Sequence, residues 1–152
     1  MSKYNDTIYA LSSPPGKSAI AIIRVSGKDS LKALKKISSV KKIKKNQTNL
    51  LFLKEKKNYI DQVVAIYYKA PNSFTGEDVV EINCHGGIAV ISKISKTFEK
   101  LGLRLAEPGE FTKRALLNNK LDLVKTESIS DIINAETDKQ REIAIKNLSG
   151  GL

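Results

Sequence analysis

Between residues 78 and 84 the chain reads DVVEINC, an alternation of β-branched and polar positions that predicts a half-buried strand. Successive side chains of a strand face opposite ways, so Val80, Ile82 and Cys84 share one face while Val79, Glu81, Asn83 and His85 share the other. Turn formers precede it (Asn72, Ser73, Thr75, Gly76), and Gly86-Gly87 follow, opening a helical pattern at Ile88 whose first turn offers free amides. A carboxylate, an amide and an imidazole on one face could read a polar heterocycle; a solvated edge strand gives the same spacing.

The same reading assigns strands to residues 7–11 and 19–25, the latter (AIAIIRV) so continuously apolar that both its faces are expected to be covered. A helix over 29–37 carries Leu31, Leu34 and Ile37, and strands over 50–53 and 59–68 flank the polar turn 55–58. Residues 88–101 form an amphipathic helix on Ile88, Ile91, Ile94, Phe98 and Leu101, stopped by Gly102, with a short returning strand at 103–106. From Pro108 the signal is helical only. Phe111, Ala115 and Leu116 give the first helix its apolar side, Asn118-Asn119 interrupt it, and 121–135 and 136–148 are two more amphipathic helices. The expected fold is α/β (α+β), a mixed sheet with flanking helices, over residues 1–119, followed at 120–152 by the first helices of an all-α domain. Two such helices cannot enclose a core alone, so the chain is expected to be part of a longer protein.

Composition narrows the class. No apolar run approaches the ~20 residues that cross a bilayer, the amino terminus lacks the apolar stretch of a signal peptide, and a single cysteine excludes an intrachain disulfide or multi-cysteine metal site. A cytoplasmic location is expected. The net charge is +10, but eleven lysines against Asp29 and Glu55 between Lys28 and Lys57 account for +9 of it. That stretch is either a contact for RNA phosphates or a solvated lysine-rich surface.

Catalytic motifs are missing. Pro15-Gly16-Lys17-Ser18 superficially matches the end of GxxxxGK[ST], but the required first glycine falls at Leu11 and the prolines remove amide donors. With no P-loop, HExxH or CxxC, the chain by itself is not expected to hydrolyse GTP, and no catalytic or metal-ligating residue is assigned. His85, the only histidine, reads as a hydrogen-bonded structural residue, and Cys84 as a small buried hydrophobe. Arg24, inside an apolar strand, is either paired with a protein carboxylate or awaits one on a ligand.

Taken together, DTIYALSSPPGKSAIAIIRVSG, PNSFTGEDVVEINCHGG, LRLAEPGEFTKRALLNNKLDLVKTESISDII and the closing NLSGG resemble, in order and spacing, the start of the bacterial and organellar tRNA-modifying GTPases of the MnmE or TrmE family. The resemblance covers most of the chain except the lysine-rich middle. It implies an amino-terminal domain similar to the folate-binding module of aminomethyltransferases, which forms a homodimer and binds 5-formyl- or 5,10-methylene-tetrahydrofolate. The family's GTPase domain, with GTP, Mg2+ and K+, lies further along and is absent from this sequence. With an FAD-containing partner of the GidA or MnmG family, the full-length proteins place an aminomethyl or carboxymethylaminomethyl group on carbon 5 of the wobble uridine of certain tRNAs.

The family's folate-contacting positions fall on Arg24, Glu81 and Lys120, each of the expected residue type. A reduced pterin presents an N–H beside an amino group, a donor pair suited to a carboxylate, while cations suit its carbonyl oxygen or the glutamate tail. On spacing alone Lys120 is a solvated lysine at a helix junction. Leu116 replaces an expected phenylalanine and Lys125 a common glutamine. Two alternatives remain: an aminomethyltransferase-like folate enzyme, and a non-catalytic RNA-binding module driven by the lysine-rich segment.

Overall fold

The computed structural model describes residues 4–150. Its sheet contains β1 (Ile8–Leu11), β2 (Ser18–Ser26), β3 (Thr48–Glu55), β4 (Asn58–Tyr68), β5 (Val79–Gly86) and β6 (Arg104–Leu105), in the spatial order β3-β4-β5-β2-β1-β6. The pairs are antiparallel except β1 with β6, which run parallel. Helices α1 (Ser30–Ile37), α2 (Ile88–Lys100), α3 (Glu110–Leu117), α4 (Leu123–Asn134) and α5 (Asp138–Leu148) complete the mixed α/β architecture expected from the pattern.

One sheet face is closed by α1 and α2. Ala21, Ile23 and Val25 of β2 and Val80, Ile82 and Cys84 of β5 pack with Leu34, Ile37, Ile94 and Phe98 in a single core. The opposite face is open, which corrects the expectation that β2 is covered on both sides. Its apolar run is sorted by the pleat, with Ala21 and Ile23 almost fully buried and Ile20 65% exposed. Ile88, at the first turn of α2, is also outside the core at 71% exposure, because Ile94 and Phe98 carry the helix contact. Val79 is buried where β5 begins, although alternation places it with the polar residues.

Helix α3 is tied to the sheet by charge. Arg114, fully buried, donates to Glu77 at 3.0 Å and 3.2 Å, to Glu110 at 3.1 Å and to Asp6 at 2.6 Å, with its guanidinium 4.1 Å from the centroid of the Tyr4 ring. Arg104 adds 2.9 Å and 2.6 Å bonds to Glu110. Hydrogen bonds from Arg104 hold the Glu110 carboxyl at about 2, below its ordinary 4.5, against the opposing effect of burial. A carboxyl with a depressed native pKa stabilises the fold fully above its unfolded value and loses that contribution as pH falls toward the native one. Acid unfolding should therefore steepen from about pH 4.5 toward 2, and Glu110→Gln should flatten that part of a stability-versus-pH curve followed by circular dichroism.

Beyond α3, α4 and α5 pack chiefly against each other, burying Ser128 and Ala144. Asp122 caps α4 by accepting from the Lys125 amide, and Thr137 with Gln140 forms a capping box on α5. Leu123, Val124 and Ile133 of α4 remain more than 60% exposed. Among the described residues no helix is long and apolar enough to cross a membrane.

Candidate functional site

The open sheet face carries a cleft whose position follows from strand register. Arg24 on β2 stands directly opposite Glu81 on β5, and residues opposite each other in an antiparallel pair project to the same side. Arg24 Nε and Nη2 each lie 3.2 Å from Glu81 Oε1, and both side chains are a little over one-fifth exposed. The guanidinium also sits 4.8 Å from the Phe74 ring centroid and 5.4 Å from that of Phe111, so two aromatic faces and one carboxylate fix its orientation. Of the alternatives for Arg24, the protein carboxylate is the one present. Only one Glu81 oxygen is engaged, and among the described residues Oε2 has no partner.

Lys120 reaches this cleft through the end of α3. Asn119 adopts a left-handed φ of 58°, its amide donates to the Leu116 carbonyl at 3.1 Å and the Lys120 amide donates to the Ala115 carbonyl at 2.8 Å. This is the paired bonding of a Schellman cap, with asparagine in the position glycine usually takes. Asn118 then donates from Nδ2 to the Thr75 carbonyl at 2.8 Å, pinning the helix end to the loop before β5. Gly76 is required there: its φ is 80°, and an added Cβ would stand 2.9 Å from Asn118 Cβ and 3.1 Å from Lys120 Cγ.

The loop is anchored from below. Ser26 Oγ lies 2.7 Å from Thr75 Oγ1 and donates to Glu77 Oε1 at 2.8 Å, which links the buried Arg114 cluster to the floor of the cleft. The resulting cavity, about 460 Å³, is lined by Arg24, Tyr68, Asn72, Ser73, Phe74, Glu81 and Lys120. Arg24, Glu81 and Lys120 are thus brought together by β2, β5 and the α3 cap. Phe74, Phe111 and Tyr68 are additions; an aromatic among the turn formers of PNSFTG was the available signal for the first.

Asn83 and His85 share the open face but do not line this cavity, so the expectation of a joint carboxylate, amide and imidazole site narrows to Glu81. Asn83 Nδ2 donates to the Val64 carbonyl at 3.4 Å. His85 is held by Asp61, with Nδ1 2.7 Å from Oδ1 and the backbone amide 2.8 Å from Oδ2, consistent with a hydrogen-bonded structural residue. Burial pushes the Cys84 thiol up to about 11, which leaves it a small apolar filler at neutral pH. Lys125 is exposed, so its departure from glutamine disturbs no packing.

Sheet, helical layer and cleft define an α/β module with a preorganised carboxylate and cation pocket on its open face, joined to a helical hairpin. The family described as "GTP-binding protein TrmE N-terminus" matches residues 7–120. Among curated relatives, "tRNA modification GTPase MnmE" of Fervidobacterium nodosum is 51% identical over 153 residues, covering 97% of this chain and 33% of its own length. The proteins of the same description from Thermotoga maritima and Lactococcus lactis subsp. lactis are each 47% identical over a similar span. The chain belongs to the MnmE/TrmE family, and it spans about a third of the length of these relatives.

Proposed function

We propose that this chain is the folate-binding and dimerising part of a cytoplasmic GTPase that modifies tRNA, with residues 1–119 as the binding domain and 120–152 as the start of the helical domain. The observation that carries the reading is the convergence of Arg24, Glu81 and Lys120 on one cleft. About 460 Å³ is within the usual range for small-ligand pockets, roughly 300–1,000 Å³. The unpartnered Glu81 oxygen suits the adjacent N–H and amino donors of a reduced pterin, Phe74 offers it an aromatic edge, and Lys120 at the rim suits the glutamate tail. The bound 5-formyl- or 5,10-methylene-tetrahydrofolate would supply a one-carbon unit.

In the full-length protein this unit would reach carbon 5 of a wobble uridine, together with an FAD-containing partner of the GidA or MnmG type and a GTPase domain using GTP, Mg2+ and K+. Homodimerisation is supported by the uncovered sheet face, where Ile20 and Leu50 are about two-thirds exposed. Calorimetric titration of the purified chain with 5-formyltetrahydrofolate should give saturable binding near one ligand per protomer, on a species that sediments as a dimer. A flat titration rejects the folate reading, and a monomer rejects the dimer.

A further inference from the structure

Eight lysines between residues 28 and 45 are exposed, and among the described residues none has an ion-pair partner. They do not lie on a loose tail. The segment after α1 is fastened to the sheet edge by bonds from the Ser39 amide to the Phe52 carbonyl at 2.9 Å and from the Asn46 amide to the Tyr67 carbonyl at 2.8 Å. Lys28, Lys32, Lys35 and Lys36 consequently face Lys41 across a concavity of about 520 Å³.

The charge placement is costly to the fold. Lys32 in the first turn of α1 has Lys35 and Lys36 at i+3 and i+4, so three like charges share one side of a two-turn helix, with Asp29 at the N-cap as the nearest acid on that element. The one acid lining the concavity, Asp78, accepts from the Ala70 amide at 2.8 Å and forms no ion pair among the described residues. A bound polyanion would relieve this repulsion. The concavity has no aromatic lining on which a base could stack, so the groups it suits are backbone phosphates.

We infer that the lysine-lined concavity of α1 is a docking surface for the phosphate backbone of RNA, which rests on the proposal above that the full-length protein acts on tRNA. Because α1 packs on the closed face of the sheet and the Arg24–Glu81 cleft is on the open one, RNA and a small ligand can be held together. Phosphates would displace counterions from fixed lysines, so affinity should fall steeply with salt.

The test is fluorescence anisotropy of a labelled unmodified tRNA transcript across a salt series, using the wild type and two variants that each lose four charges. Lys32, Lys35, Lys36 and Lys41→Gln should weaken binding at least about tenfold and reduce the log–log salt slope by about 3. Lys56, Lys57, Lys139 and Lys146→Gln, away from the concavity, should stay within about twofold of wild type. Equal losses in both variants, absence of tRNA binding at low salt, or preference for phosphatidylglycerol vesicles over tRNA would overturn the inference. Circular dichroism checks that both variants fold. A titration with 5-formyltetrahydrofolate should be unchanged in both, so RNA binding that survives the concavity substitutions refutes this surface alone, whereas a wild type that binds tRNA but not folate refutes the cleft alone.

Discussion

Arg114→Met is expected to lower the unfolding free energy by about 3–5 kcal/mol, read from the midpoint of a urea titration. The residue has no exposed surface, and Glu77, 1% exposed at its side chain, accepts from it at 3.0 Å and 3.2 Å. Removing the guanidinium strips that buried carboxylate of two charge-assisted hydrogen bonds, while Glu110 keeps Arg104. The loss measures the penalty of withdrawing a cation from a buried carboxylate rather than the intrinsic worth of the ion pair. By contrast Lys139→Ala, which breaks an exposed pair 3.6 Å from Glu142, should leave the midpoint essentially unchanged. Because Glu77 closes the loop that carries Phe74, the Arg114 variant should also weaken ligand binding under conditions where it remains folded.

The second large effect concerns recognition itself. Glu81→Gln should reduce affinity for 5-formyltetrahydrofolate at least about a hundredfold, roughly 2.7 kcal/mol. The substitution preserves shape but replaces an anionic acceptor by an amide, presenting an N–H to ligand donors and leaving the Arg24 guanidinium without its carboxylate. Both losses act in the same direction. Stability should change much less than in the Arg114 variant, since the Arg24–Glu81 pair is partly solvated and Arg24 retains Phe74 and Phe111.

Much of this fold is visible in the alternation of residues. The buried sequence Val80, Ile82, Cys84 and the helix contacts Ile94 and Phe98 follow directly from period-two and period-3.6 patterns. What the pattern misjudged is instructive: a run such as AIAIIRV looks the same whether one face is covered or two, because exposure of Ile20 depends on what packs against the sheet, which is information held elsewhere. Spacing puts Ile88 in the helix stripe, yet at the first turn of α2 it is 71% exposed.

The site divides in the same way. Glu81 was legible as a carboxylate on the polar face of a strand, and Arg24 as a cation that must meet an anion; their pairing required the β2–β5 register. Lys120 carried no signal of its own. Its position is made by Asn119 in the left-handed region and by Gly76 beneath it, a tertiary fit that only the resemblance to the family anticipated. Arg114 stands unmarked in its helical stretch, since nothing local distinguishes a buried arginine from a solvated one until its partners at Asp6 and Glu77, far away in sequence, are known.

The most direct test is a crystal structure of this chain soaked with 5-formyltetrahydrofolate. Density for the pteridine ring in the cleft, with its adjacent N–H and amino nitrogens within about 3.2 Å of the Glu81 carboxylate, is the predicted result. A ring bound elsewhere, or one in the cleft that leaves Glu81 beyond hydrogen-bonding reach, would contradict the account.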